Sequence, residues 1–258
     1  MKNLKQFNSK IEFVLTDIDD TLTTNGQLHA DAYQALWRLH DAGLKIIPIT
    51  GRPAGWCEMI ARFWPIAGIV GENGGFYFRY DKKMHRWFFC DDKTIKINQQ
   101  KLFEVQKEIL SSVPGAAISS DQFCRLMDLA IDFCEDVTPL DKKSVQKIVE
   151  IFTNHGAQAK VSSIHVNGWF GDYNKLKTSF NFLKNEMQLS ENDILTKCIF
   201  VGDSPNDEPM FEKFPHSFGV ANVRNFEQEI KHLPQYISES SGGKGFAEIA
   251  DRIIQLRR

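Results

Sequence analysis

The sequence predicts an α/β protein in which a Rossmann-like parallel-sheet core carries an inserted α+β cap domain. Toward both ends of the chain, short apolar runs alternate with segments whose apolar residues recur at helical spacing, the signature of βα units that build a parallel sheet. From Phe76 to about Phe170 the texture changes to paired short strands and two longer helical patterns, as in a mostly antiparallel sheet with helices on one face. With 258 residues and 42% hydrophobic content, the chain can fill one large or two moderate cores. The expected division is a discontinuous core over 1–76 plus 171–258 and a cap over 77–170.

The first strand is Ile11-Glu12-Phe13-Val14-Leu15-Thr16, and it ends in Asp17-Ile18-Asp19-Asp20-Thr21-Leu22. Strands of open α/β sheets deliver ligand groups just beyond their carboxyl ends, so three carboxylates stand where chemistry is expected. Crowded carboxylates repel, and an all-oxygen cluster suits a hard cation such as Mg²⁺. An acidic turn is the plain alternative. Leu28, Ala32, Ala35, Leu36 and Leu39 then mark a helix that stops at Gly43. Leu44–Thr50 reads as a second strand, although Pro48 cannot donate to a ladder, and it runs into Thr50-Gly51-Arg52-Pro53. Trp56, Ile60 and Phe63 mark a second helix, and Ala67–Val70 a third strand before Gly71-Glu72-Asn73-Gly74-Gly75.

In the inserted region, Phe76–Tyr80 and His85–Cys90 form a hairpin around Asp81-Lys82-Lys83. Leu102, Val105, Ile109 and Leu110 lie on a helix, Arg125–Phe133 on a strand, and Val145, Ile148, Val149 and Phe152 on another helix. Ala157–Val161 and Ile164–Trp169 complete this unit as a hairpin, with Trp169 as core at the hinge. Parallel-sheet logic resumes with a helix through Leu176, Phe180, Leu183 and Met187 and a strand Lys197–Val201 that enters Gly202-Asp203-Ser204-Pro205-Asn206-Asp207. Ser217–Val220 is a short strand, and Phe246, Ile249, Ala250 and Ile253 belong to the terminal helix.

A net charge of −2 gives no global reason to expect nucleic acid or a membrane surface as partner. The five cysteines are odd in number and widely spaced, without zinc-type clusters, which reads as free thiols in a reducing compartment. The N-terminus lacks a signal-peptide core and no apolar run reaches the roughly 18 residues of a spanning helix, so a cytoplasmic location is expected. The sequence assigns no oligomeric state.

Polar residues collect at the strand ends in a fixed order: Asp17 and Asp19, then Thr50, then Lys175 at a helix start, then Asp203 and Asp207. In this order the sequence resembles the haloacid dehalogenase-like phosphatase superfamily, whose motifs are DxDx(T/V), a Ser or Thr after the second strand, a Lys, and GDxxxD. The position and size of the insertion resemble the large α/β cap of its Cof-like, sucrose-phosphatase-like and phosphomannomutase-like members. The resemblance implies a Mg²⁺-dependent phosphoric monoester hydrolase acting on a small phosphorylated metabolite, foremost a sugar phosphate. A phosphomutase of the phosphomannomutase type is the alternative, and a non-catalytic ligand-binding or interaction protein is a second. Phosphoryl transfer needs an in-line nucleophile, neutralised equatorial oxygens and a proton for the leaving alcohol. The resemblance assigns these to Asp17 as nucleophile, Asp19 as acid and base, and Thr50 and Lys175 as holders of the phosphoryl oxygens. Mg²⁺ falls to Asp17, the backbone carbonyl of Asp19, and Asp203, with Asp207 either beside the ion or fixing Lys175.

Gly51, Arg52, Asn73 and Asn206 are candidate substrate or phosphate contacts. Arg52 reads equally as a surface cation, Thr50 as a helix cap, and Glu72 as part of a tight turn; Lys177 competes with Lys175. Asp20 stands where lidded sugar-phosphate enzymes of the superfamily mostly carry glycine. Arg125, Asp128, His165 and Asn167 are cap residues that either read the leaving group or face solvent.

Overall fold

The apolar runs near the two ends of the chain become neighbouring strands of one sheet. The structure is a computed structural model that describes residues 1–162 and 164–257. In chain order its strands and helices begin with β1 (Lys2–Asn3), β2 (Phe13–Thr16), α1 (Ala30–Asp41), β3 (Lys45–Pro48), α2 (Ala54–Phe63) and β4 (Ile69–Gly71). The middle of the chain forms β5 (Phe76–Asp81), β6 (Lys83–Phe88), α3 (Asp92–Ser112), β7 (Ala117–Ile118), β8 (Leu129–Asp132), α4 (Lys142–Asn154), β9 (Gln158–Val161) and β10 (His165–Trp169). Last come α5 (Lys175–Asn185), α6 (Glu191–Lys197), β11 (Cys198–Gly202), α7 (Glu208–Lys213), β12 (Ser217–Gly219), β13 (Tyr236–Ile237) and α8 (Gly242–Gln255).

A six-stranded sheet runs β1-β13-β12-β11-β2-β3, and every pairing in it is parallel. Side chains alternate across it, as the pleat demands. Val14, Ile46, Ile199 and Val201 pack with α1, α2 and α8, while Leu15, Ile47 and Phe200 pack with α5, α6 and α7 on the opposite face. Both faces are therefore covered, which is why these strands read as continuous apolar runs. Pro48 is tolerated because Lys45 and Ile49 donate to the β2 side, which places residue 48 on the other side, where β3 meets only a single bridge to Val70.

The second sheet, β7-β8-β10-β9, is antiparallel throughout. Leu129, Ile131 and Val166 point to α3 and α4 in an apolar cluster of their own, so Ala130, Asp132, His165 and Asn167 occupy the opposite face. The two strands come close to α4 at Gly168, where a Cβ would lie 2.0 Å from the Phe152 ring.

Several elements differ from the sequence expectation. The hairpin of β5 and β6 pairs with β4 rather than with the cap sheet, and its Phe76, Tyr77 and Phe78 are buried in the clusters of the parallel sheet. The change of texture at Phe76 marks this hairpin. The strand expected over Arg125–Phe133 is shortened to Leu129–Asp132, because Leu126 to Asp128 turn their N–H groups to the Glu72 carboxylate instead of a neighbouring strand. Helix α6 and the two-residue strands β1, β7 and β13 were not foreseen; the strands are too short to show a period. Trp169 is hinge core as expected, donating from Nε1 to the Tyr173 carbonyl at 3.2 Å. Cys57, Cys90, Cys124 and Cys198 are free thiols, and among the described residues no helix is long and apolar enough to cross a membrane.

Candidate active site

Strands β2 and β11 lie side by side, but the chain leaves them in opposite directions, from β2 to β3 and from β11 to β12. Such a switch point opens a crevice beyond the carboxyl ends of the strands. Asp17 follows β2 and donates its N–H to the Val201 carbonyl at 2.9 Å, so the ladder itself fixes it beside β11. Asp203 follows Gly202, where a Cβ would sit 2.4 Å from Asp207 Oδ2. Only glycine there lets the Asp207 carboxylate fold back to accept from the Asp203 N–H at 3.1 Å. Asp17, Asp203 and Asp207 are all buried and offer oxygens within 4.8 Å of one another. Lys175 opens α5 and places Nζ 3.0 Å from Asp17 Oδ1 and 3.1 Å from Asp207 Oδ1. Lys177 lies outside this cluster, pairing at the surface with Asp172 at 2.6 Å.

One ammonium faces three carboxylates, an imbalance that disfavours the charged forms of Asp17 and Asp203. Burial first, then Asp207 and Asp17, pushes Asp203 well above the ordinary carboxylate range. Burial likewise carries Asp17 up to about 7, against the pull of Lys175 and with the push of Asp207 and Asp19. Lys175 is raised, since its two carboxylate partners outweigh the burial that opposes its charge. Thr21 Oγ1 donates to Asp203 Oδ1 at 2.9 Å and Asn222 Nδ2 to Oδ2 at 3.0 Å, which holds that carboxylate facing its neighbours. A buried all-oxygen donor set with excess negative charge fits Mg²⁺.

Asp19 lies apart from this cluster. Its carboxylate accepts from Arg52 Nε at 3.0 and 3.1 Å and from Nη2 at 2.8 Å. Behind that pair, the guanidinium lies 4.5 Å from the Trp56 ring centre and 3.7 Å from Glu135 Oε1 of the cap. Arg52 is thus a buried partner of Asp19 rather than a surface cation. Thr50 does not cap α2, whose N-cap is Pro53; its Oγ1 accepts from the Arg52 N–H at 3.0 Å, shaping the Thr50-Gly51-Arg52 turn. Asp20 has φ 56°, a left-handed conformation that glycine adopts more easily, and its carbonyl accepts from Asn222. Gly51, Asn73 and Asn206 line the same cavity of about 670 Å³ as Asp17, Asp19, Lys175 and Asp203.

Glu72 is the residue whose importance the sequence concealed. It is fully buried at φ 43°, and its carboxylate accepts from the N–H of Ala54 at the start of α2 at 2.8 Å and from those of Leu126, Met127 and Asp128. It therefore ties the loop after β4 and helix α2 to the segment leading into β8. Glu72→Ala leaves these N–H groups without a partner, and at about 1–3 kcal/mol for a buried donor the variant should lose several kcal/mol in urea unfolding. A loss below about 1 kcal/mol would show that water replaces the carboxylate freely. Arg125, also buried, reaches from the cap to the Gly51 carbonyl at 3.0 Å while pairing with Asp121 and Asp128.

No family model matches the chain. Over 250 residues it is 26% identical to a protein named phosphoglycolate phosphatase from Pyrobaculum islandicum, covering 95% of this chain and 96% of the relative. A protein of the same name from Nitrosopumilus maritimus is 23% identical, with 93% and 95% covered. Among solved structures, a Thermoplasma acidophilum protein superimposes with a TM-score of 0.74 at 20% identity, covering 96% of this chain and 99% of that one. The sucrose-phosphatase of Synechocystis, solved with sucrose and phosphate, gives 0.64 at 14% identity, covering 95% and 98%. These similarities agree with the resemblance of the motifs to haloacid dehalogenase-like phosphatases, and the solved structures share the fold. Asn222 and Thr21 support Asp203 without having been singled out from the sequence. Thr21 lay within the first motif and was readable there, whereas Asn222 sits in a short 3₁₀ helix, Ala221–Phe226, after β12, with no motif to mark it. Asp121, Arg125 and Asp128, spaced four and three apart, did carry a charge pattern that matches their mutual pairing.

Proposed function

We propose that this phosphatase hydrolyses a small phosphorylated metabolite, foremost a sugar phosphate, with Mg²⁺ and through an aspartyl-phosphate intermediate. The observation that carries the reading is Lys175 Nζ set between Asp17 and Asp207, with Asp203 beside them at the switch point of the sheet. An Asp17 oxygen attacks phosphorus as the ester P–O bond breaks, and Asp19 gives its proton to the leaving alcohol. Water then attacks phosphorus, Asp19 takes a water proton, and the Asp17–phosphorus bond breaks to release inorganic phosphate. For Asp19 to act as the acid, Arg52 must yield at least one of the two carboxylate oxygens it now holds. Lys175, Thr50 and the main-chain N–H groups near it hold the phosphoryl oxygens. Asp17, Asp203 and the Asp19 carbonyl would hold Mg²⁺, beside Asp207, and the ion would add positive charge where the phosphoryl oxygens gather it.

The assignment of 1–76 plus 171–258 as catalytic core and 77–170 as cap belongs to the same reading; the separate apolar cluster of Leu102 to Phe170 supports the later part of that cap, while the hairpin of β5 and β6 packs with the core. A cytoplasmic location belongs to it as well. Against a phosphomutase stands the engagement of the arginines it would need for a second phosphate. Arg79 pairs with Asp81 and Glu186, Arg86 with Glu58, and Arg125 with Asp121 and Asp128. Phosphate release from a panel of small esters, with Mg²⁺ and with chelator, tests the reading. Release that survives chelation removes Mg²⁺ from it, and isomerisation of hexose phosphates without release favours the mutase.

The titration shifts add a second test. Asp17 and Asp203 keep protons in the folded metal-free protein at pH values where the unfolded chain, with an ordinary value of 3.8, has lost them. The Asp17 contribution to stability is complete below about pH 4 and is lost as pH rises toward 7, and Asp203 acts in the same direction. The melting temperature of chelated protein should fall over this window, and Mg²⁺ should restore most at pH 7. A Mg²⁺ effect equal at pH 5 and pH 7 would place the ion elsewhere.

A further inference from the structure

The cavity is lined by three cations, Arg52, Arg125 and Lys175, and each is already engaged. Arg52 holds Asp19 through Nε and Nη2, with Glu135 and Asp121 near Nη1. Arg125 uses all three nitrogens, Nε and Nη2 on Asp121 and Nη1 on Asp128 and the Gly51 carbonyl. Lys175 is shared by Asp17 and Asp207. His165 adds no cation near neutral pH, since burial and the nearby Arg125 push it down to about 4. The same cavity is also lined by the carboxylates of Asp19, Asp20 and Glu229. A second negative charge on a substrate would therefore meet excess negative charge and find no unpaired cation among the described residues.

What the roof does offer is set by Asp128. This buried carboxylate accepts from Asn167 Nδ2 at 3.1 Å and from Asn73 Nδ2 at 3.5 Å, as well as from Arg125. With both nitrogens drawn to Asp128, the two carboxamide oxygens lie on the far side of their amides, in residues that line the cavity. An amide oxygen accepts from a hydroxyl and repels a carboxylate. We propose that the leaving-group side of this site selects an uncharged, hydroxyl-bearing alcohol and rejects carboxylate-bearing phosphate esters, with Asn73 and Asn167, oriented by Asp128, as the residues that discriminate. The proposal rests on the phosphatase reading and sets this chain apart from relatives named phosphoglycolate phosphatase.

The test compares kcat/KM for hexose 6-phosphates and tetritol phosphates with that for 2-phosphoglycolate, using p-nitrophenyl phosphate as a reporter of the chemistry alone. The expected preference for the uncharged esters is about 30-fold or more, the scale of one or two mismatched buried polar contacts. Asn167→Ala should narrow that preference to under about 5-fold, mainly by lowering kcat/KM for the hydroxylated esters. Val161→Lys, at the exposed rim of the cavity, should raise kcat/KM for 2-phosphoglycolate several-fold without touching the buried network. Hydrolysis of 2-phosphoglycolate as fast as the best uncharged ester overturns the proposal while leaving the phosphatase reading intact. The same holds if Asn167→Ala and Val161→Lys both leave the preference unchanged. Failure to release phosphate from any ester, p-nitrophenyl phosphate included, overturns the reading and the proposal together.

Discussion

Asp17→Asn is expected to abolish phosphate release, by at least about 10³-fold, while leaving a folded protein. The amide has almost the shape of the carboxylate but cannot attack phosphorus. The fold should survive because Asp17 is an expensive charge: it is buried, repelled by Asp207 and Asp19, and offset only by a lysine shared with Asp207. In chelated protein at pH 7 the variant should melt no lower than the parent, and its gain from Mg²⁺ should shrink. Activity and melting together make the result informative. Lost activity with a sharply lowered melting temperature would mean that Asp17 is a structural partner of Lys175 more than a nucleophile.

Lys175→Met should damage both properties at once. The methionine fills similar volume, yet Asp17 and Asp207 then face each other and Asp203 with no cation between them. Removing one partner of a buried ion pair costs about 3–5 kcal/mol, and the loss should grow as pH rises through about 7, where Asp17 ionises in the parent. Loss of an electrostatic holder of the phosphoryl group should reduce kcat by about 10²–10³-fold. Mg²⁺ should recover part of the stability and little of the rate. Urea unfolding with and without Mg²⁺, beside steady-state kinetics, separates the two effects; full recovery of rate by the ion would remove Lys175 from the chemistry.

The sequence disclosed the chemistry better than its surroundings, for reasons that particular residues make plain. Asp17, Thr50, Lys175 and Asp203 lie directly at element ends, and their spacing from apolar runs makes that visible; the structure brings Asp17, Lys175 and Asp203 together at one point of the sheet. Asp207 follows because Gly202 leaves it room. The engagement of Asp19 by Arg52 was not legible, since two side chains meeting across a crevice share no period. Glu72 was hidden for a similar reason: a glutamate between glycines reads as a turn, and its four N–H partners come from α2 and the cap. The shortened strand at Leu129 has the same origin. The preceding residues have strand-like composition, but their donors are committed to Glu72 before a ladder can form.

The hydrogen bond from Thr21 to Asp203 joins residues 182 positions apart. Seen from the ribosome, this makes the site a late product of synthesis. Chains emerge N-terminus first, so Asp17 leaves the exit tunnel early and waits, with α1, α2, the hairpin and the rest of the insertion following it. Until β11 has been made and slid in beside β2, Asp17 has neither Asp203 nor Asp207 for company. A nascent or truncated polypeptide ending short of Gly202 would carry Asp17 without the carboxylates and strand that complete the proposed site.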